Sequence, residues 1–431
     1  MNLHGWDTAF ALDVALANAA LARDENALLV DFAVDDPDGL RIRAEGSFGG
    51  WQIVAGGSGQ FVTLRLPVVA GWLELASQGG RVDLAGTAFV ASVALDLIPS
   101  ELPGVQDLRF DVTAPGKVGQ PPVPGAITPI RLDDPASRLD DLQEALLLAS
   151  LAEFVARNAD RISFVFATVN LVPPQSDSWL TPVRSAFAYA DRSDGFGGAL
   201  VILGVTDGRP IDGLPRLVDP ALLAGGHQAA FAFSRALLLE HVIMPSLPGA
   251  FGNGATGASF AYDAQGGQIV NLHPLAMNAV RKGAIDYYPE IRTLRLGVEG
   301  SALRARYEGW CDLKAGISME FWIEARYPIV YDGATGSLAF LADGNPRSDY
   351  EADIPWYWWL AGLLVRGIIA IVVPAIASGI ASSLTSSVGS MLSPARNPPT
   401  SIRWQGTENL RIAAARVEDA FVMTGDFSGT I

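Results

Sequence analysis

PWYWWLAGLLVRGIIAIVVPAIASGIA, residues 355–381, is the stretch on which the fold turns, because Arg366 is its only charge. About 20 apolar residues suffice to cross a bilayer, and Trp356, Tyr357, Trp358 and Trp359 at its head have the composition of an interfacial aromatic belt. Three features oppose a membrane span. Arg366 sits in mid-span, where a charge costs on the order of 3 kcal/mol or more. Pro374 interrupts the backbone pattern, and the run continues into a tail of small residues, 378–391, that is too polar for lipid. A helix apolar on all sides is equally at home inside protein. One long helix over 355–391 is therefore expected, buried by sheet and giving no permanent membrane anchor. Trp356, Trp358, Trp359, Ile368 and Ile369 are its candidate ligand-lining residues. Insertion of 355–381 into a membrane is the competing expectation.

The rest of the chain has the composition of a sheet-rich protein around a greasy interior. Hydrophobic residues make up 49% and charged residues 18%, with mean hydropathy +0.26, while 45 Gly and 27 Pro supply turns. At 431 residues it exceeds the size of a single growing core, so two domains are expected. A net charge of −16 excludes nucleic acid as a partner and opposes long-range attraction to anionic bilayers. The single cysteine, Cys311, excludes an internal disulfide and a Cys-based zinc site. No basic n-region opens the chain, and Asp13 breaks the Ala-rich stretch 9–22. Synthesis in the cytoplasm without a cleavable signal is expected, with any export by a non-Sec route.

Periodicity divides the chain further. A helix is expected over 8–23, with Asp7 as N-cap and Phe10, Val14, Ala17 and Leu21 on one face. Period-two runs such as Leu40-Arg41-Ile42-Arg43-Ala44 and Gln60-Phe61-Val62-Thr63-Leu64-Arg65-Leu66 then indicate antiparallel strands up to about residue 130. A helix over 139–158 and more strands follow, and the Gly-, Pro- and Asp-rich loop 206–226 marks a domain boundary. The plan then repeats with a helix over 227–243, strands over 258–349, the long helix, and closing strands. The opening helices begin 219 residues apart (8 and 227) and the closing ones 216 apart (139 and 355), which points to an internal duplication of two modules, 1–215 and 216–431.

Gly5-Trp6-Asp7-Thr8-Ala9-Phe10-Ala11, with Asn18 twelve residues after Trp6, resembles the opening of the OrfX-cluster accessory proteins encoded beside botulinum neurotoxin genes. Phe164-Val165-Phe166-Ala167, Trp179-Leu180-Thr181-Pro182, Ala229-Ala230-Phe231-Ala232-Phe233-Ser234 and the aromatic entry to the last helix fit the same family. The resemblance implies the tubular lipid-binding (TULIP) fold: an α+β protein of two modules, each a curled antiparallel β-sheet wrapped around long apolar helices. It also implies a lipid or other hydrophobic small molecule as ligand, and other proteins of the same gene cluster as partners. It carries over no catalytic residue.

The remaining motifs favour ordinary structure over chemistry. Gly252, Gly254 and Gly257 spell G-x-G-x-x-G, but no strand precedes them and no helix follows, so a loop is expected. Asp35-Asp36-Pro37-Asp38-Gly39 lacks the Gly and Glu of a calcium loop, since Leu40 and Gly46 hold those places. His4, His227, His241 and His273 lack the i, i+4 spacing of a metal pair, and no G-x-S-x-G elbow occurs. Cys311 is read as a half-buried strand residue. Arg281, Lys282, Arg292, Arg295, Arg304, Arg306 and Lys314 fall within 34 residues that hold five acids. Arg292, Arg295, Arg304 and Arg306 are the candidate headgroup patch, set against an ordinary charged sheet face. The stripe Phe231, Leu237, Leu238 and Val242, expected on the helix over 227–243, lines a ligand only where the tube is not self-filled. The expected function is non-enzymatic binding of a hydrophobic ligand, without catalytic, metal or cofactor site. A structural subunit with a self-filled core is the alternative.

Overall fold

The computed structural model describes every residue except 37–40, 172–178, 193–196, 224, 252–253, 315, 333–336, 354–361, 392–400 and 430–431. The protein is β-rich and α+β, built from open, mostly antiparallel sheets with few helices. The helices are α1 (Val14–Arg23), α2 (Asp141–Arg157), α3 (Arg235–Leu237, continuing as a π-helix over Leu238–Ile243) and α4 (Gly362–Met391).

Two compact units organise the chain. The first comprises Leu3–Phe231, Pro399–Arg411 and Gly425–Ile431, and the second Met1–Asn2, Ala232–Pro398 and Ile412–Thr424. Residue 215, the expected end of the first module, lies in the loop ahead of the strand Ala229–Ser234, within the first of these units.

In the first unit a long sheet runs in the order Asp31–Asp36, Ile42–Phe48, Phe61–Leu75, Ala88–Pro99, Gly125–Asp133, Val105–Pro115, Ala167–Asn170, Ile402–Trp404. Helix α2 lies along it, opened by a capping box in which the Asp140 carboxylate accepts from Gln143 N and the Gln143 side chain accepts from Asp140 N. A second sheet places Arg184–Asp191, Gly198–Val205, Thr8–Asp13 and, from the strand Ala229–Ser234, the residues Ala229–Phe231 of this unit side by side.

In the second unit the sheet order is Phe260–Asp263, Gln268–Asn271, Glu290–Glu299, Ala302–Lys314, Ile317–Asp332, Ser337–Phe340, and Arg347–Asp353 also pairs with Ile317–Asp332. Strict alternation splits its central strands. Leu303, Ala305, Tyr307, Cys311 and Leu313 are buried, while Arg304, Arg306 and Lys314 are exposed.

The helices expected over 8–23 and 227–243 are corrected by the structure. Thr8–Asp13 and Ala229–Ser234 are strands, and helix begins only after each of them. Both strands are buried on both faces, which erases the period-two signal, and their alanines carry high helix propensity. The correction exposes a local repeat at a spacing of 221 residues: Thr8-Ala9-Phe10-Ala11-Leu12-Asp13 against Ala229-Ala230-Phe231-Ala232-Phe233-Ser234. The last residue of each strand caps the following helix, with Asp13 accepting from Ala15 N and Ser234 from Leu237 N. Asp7, expected as that cap, does something else.

Of the helix expected over 355–391, the structure describes α4 from Gly362 onward. Val372, Val373, Ile376, Ala377, Ile380, Ala381 and Leu384 are buried. The Ser383 hydroxyl donates to Ser246 O at 2.7 Å, and the Thr385 hydroxyl donates to Phe340 O at 3.3 Å. Among the described residues no helix is long and apolar enough to cross a membrane.

Candidate functional site

The first unit's interior is aromatic. Phe10 meets Phe231 edge-on at 6.0 Å and Trp404 at 6.2 Å, and a second chain of rings links Trp51, Phe110, Phe166 and Phe164. Trp404 reaches this core because Ile402–Trp404 pairs with Ala167–Asn170, setting Trp404 opposite Ala167.

Trp6 and Asp7, from the most specific motif in the sequence, form a clasp. The Trp6 indole donates to Pro215 O at 2.9 Å. The Asp7 carboxylate accepts two bonds from the Arg209 guanidinium, at 2.7 and 2.9 Å, and one from Thr206 N at 2.8 Å. Arg209 also donates to Gly5 O at 2.7 Å. This fork geometry ties the loop after Gly198–Val205 back to the chain start. Arg209, 202 residues from Asp7, had no local signal to mark it.

In the second unit Leu237 lies in α3, and Leu238 and Val242 in the π-helix, all buried. Phe231, expected on the same helical stripe, is instead a strand residue of the first unit. Trp356, Trp358 and Trp359 lie outside the described residues, as do the side chains of Ile368 and Ile369. The described part of α4 has two unlike faces. Opposite its buried stripe, Ala370, Ile371, Pro374, Ala375, Ser378, Ser382 and Thr385 are exposed, and none is charged.

The four arginines of the expected headgroup patch stand on the outer face of the sheet. Arg292 pairs with Glu320 at 2.7 Å, Arg304 with Glu299 and Glu324 at 2.9 Å each, and Arg306 with Glu308 at 3.1 Å. Arg295 is set directly opposite Arg306. Three of the four are thus neutralised by sheet neighbours, the pattern of a solvated charged face.

The inner face holds a polar pair that sequence reasoning missed: the Tyr307 and Tyr327 hydroxyls bond each other at 2.9 Å, fully buried. Burial pushes both phenols above their ordinary range, so both stay neutral. Tyr307→Phe is expected to cost about 1–3 kcal/mol by stranding the Tyr327 hydroxyl, and the double change Tyr307→Phe, Tyr327→Phe to recover most of that loss. Thermal melts of the three variants check it.

Other candidates resolve as local structure. Cys311 is buried rather than half-buried, and burial pushes its thiol up to about 11, away from nucleophilic use. His227 pairs with Asp426 at 3.2 Å. Of the glycine motif, Gly252 lies outside the described residues, and Gly257 opens a 3-10 turn that leads into a strand. Asp35 pairs with Arg43 at 3.0 Å, while 37–40 lie outside the described residues. Among the described residues no three His, Cys, Asp or Glu side chains converge as a metal site.

Comparison with known proteins places this architecture. Two solved structures share the fold. P47 from Clostridium botulinum A2 has a TM-score of 0.74 at 22% identity, covering 99% of this chain and 98% of that one. P47 of Clostridium botulinum E1 has a TM-score of 0.70 at 21% identity, covering 99% and 100%. In sequence the chain is 25% identical to Protein P47 of Clostridium botulinum (strain Kyoto / Type A2) over 359 residues, 81% of this chain and 83% of that protein. It is 23% identical to Protein OrfX3 of Paraclostridium bifermentans over 270 residues, 58% of this chain and 54% of that protein. The family model for the OrfX-like proteins, Protein OrfX2/OrfX3/P47, matches residues 3–397, and the chain belongs to that family.

Proposed function

We propose that this protein is a non-enzymatic binder of a lipid or other hydrophobic ligand, acting with other proteins of a toxin-type gene cluster. The observation that carries the reading is α4: Ala370 to Thr385 contains no charge, yet one stripe of it faces solvent while the other is buried. The first part of that outer stripe, Ala370, Ile371, Pro374 and Ala375, is exposed and apolar, and an exposed apolar surface marks a place where something apolar binds. The tubular lipid-binding arrangement of curled sheet around helix belongs to the same proposal, as does export by a route other than Sec. Each methylene transferred from water to such a surface contributes about 0.8 kcal/mol, so an acyl chain is held without any catalytic group.

A second reading, a structural subunit whose core is filled by its own side chains, is favoured by the complete burial of Leu238, Val242 and Ile376. Titration with a fluorescent fatty acid, at low and high ionic strength, separates the two. Saturable binding that survives high salt is expected, because burial of apolar surface is not screened. Absence of saturable binding, with no lipid found by organic extraction and mass spectrometry of the purified protein, would leave the structural subunit. Binding lost at high salt would shift the site to the arginine face.

A further inference from the structure

We propose that the β-hairpin 277–289 of the second unit is a docking arm for the surface of a phospholipid bilayer, entering the headgroup layer with its apolar tip. This goes beyond the lipid-binding reading, because it names a surface as partner rather than a bound molecule, and the two have separate tests.

The arm leaves the main sheet at a closed base. Ala276 stands opposite Glu290 in the sheet, and Met277 N donates to Pro289 O at 2.8 Å. Beyond that bond, Val280–Lys282 and Ile285–Tyr287 form a two-stranded sheet of their own. Such a ribbon is marginal in water by itself. It is held at the base, where Tyr287 is 3% exposed, Met277 and Pro289 are buried, and α4 packs against Val280–Lys282. At the tip this cover ends. Gly283 turns the chain at φ +64°, and a Cβ there would meet no atom within 4 Å. Ala284 is exposed, Ile285 is 45% exposed and Tyr288 60%. Ile285 and Tyr287 share one face of their strand, so the apolar face buried at the base continues bare to the tip.

One exposed apolar side chain is ordinary on a protein surface, and it is the order of residues along the arm that selects a bilayer. Ala284 and Ile285 lead, and Arg281 and Lys282 come next in the other strand. Tyr288 follows three residues, or about 10 Å, behind Ile285. Interfacial segments enter the boundary of headgroups and acyl chains to about 5–10 Å, and tyrosine favours the headgroup level. Charge agrees with this placement. Between Asp263 and Glu290 the one acid is Asp286, which pairs with Arg281 at 3.5 Å, so no uncompensated carboxylate of the arm meets the lipid phosphates. Arg281 and Lys282 against Asp286 make the arm +1 in a chain of net charge −16. The charge of the whole chain opposes an anionic membrane, and the surface that fits is zwitterionic. Because α4 packs against the arm, docking brings that helix to the bilayer.

The experiment uses the full chain and phosphatidylcholine vesicles. Cys311 is 0% exposed, so Ala284→Cys takes an environment-sensitive dye selectively. Ser301→Cys, exposed in the turn at the far end of Glu290–Glu299, carries the same dye as control. Vesicles should brighten the dye at 284 and leave it unchanged at 301. In vesicle sedimentation Ile285→Asp should bind at least about tenfold more weakly, from the lost burial of one isoleucine, at low and high salt alike. Its melting and its fatty-acid titration in solution should match wild type. If the aspartate lowers the melting temperature, the labelled protein with Ile285 intact decides. A silent dye at 284, equal brightening at both positions, or wild-type sedimentation of a well-folded Ile285→Asp overturns the arm while fatty-acid binding stands. Brightening at 284 that rises with protein concentration and needs no vesicles would show a second copy of the chain covering the tip, and overturns it too. Vesicle binding through the tip without saturable fatty-acid binding would keep the arm and remove the lipid-binding reading.

Discussion

Ile376→Asp is expected to unfold the second unit, whereas Ile371→Asp, less than two turns away, is expected to leave its melting unchanged and to abolish binding of a fluorescent fatty acid. Ile376 is 0% exposed on the inner stripe of α4. Removing its side chain alone costs about 2–5 kcal/mol, and the aspartate adds a carboxylate with no cation to meet it. Together these match or exceed the whole stability of an ordinary domain. Ile371 is 37% exposed on the uncharged outer stripe, where a carboxylate stays hydrated and costs the fold little. Thermal melts and limited proteolysis read the first effect, and fatty-acid titration the second. Retained binding in Ile371→Asp would remove α4 from the ligand surface, and a wild-type melt for Ile376→Asp would mean that its inner stripe is not buried.

The second large effect is expected at the clasp that closes the first unit. Arg209→Ala leaves the Asp7 carboxylate with Thr206 as its partner. The Asp7 side chain is 12% exposed and that of Arg209 35%. Breaking a fully buried pair costs about 3–5 kcal/mol, and the partial exposure of Arg209 reduces this to about 2–3 kcal/mol. Arg209→Lys should recover only part of the loss, since an ammonium cannot reproduce the two-pronged contact with Asp7 and the bond to Gly5 O. Arg157→Ala is the control. Its pair with Glu153 lies on the exposed side of α2, and its loss should cost less than about 0.5 kcal/mol. Chemical denaturation of the three variants gives the ranking, and equal effects at positions 209 and 157 would refute the clasp.

Sequence by itself determined what depends on near neighbours. The alternation of Leu303, Ala305 and Tyr307 with Arg304 and Arg306 is visible in the chain and puts the arginines on the outside. The capping box at Asp140, the turn-rich segments, the helical course of α4 and the family motif Gly5-Trp6-Asp7-Thr8 are likewise local. Tertiary structure decided what depends on distant partners. Thr8–Asp13 and Ala229–Ser234 read as helix because tertiary packing buries both of their faces, and double burial removes the polar residues that reveal a period of two. The Arg209–Asp7 clasp, the Tyr307–Tyr327 pair and the delivery of Trp404 to Phe10 join residues 202, 20 and 394 positions apart. No local pattern marks such contacts: strand pairing sets them, and register is fixed by whichever alignment buries the most apolar surface over the whole sheet.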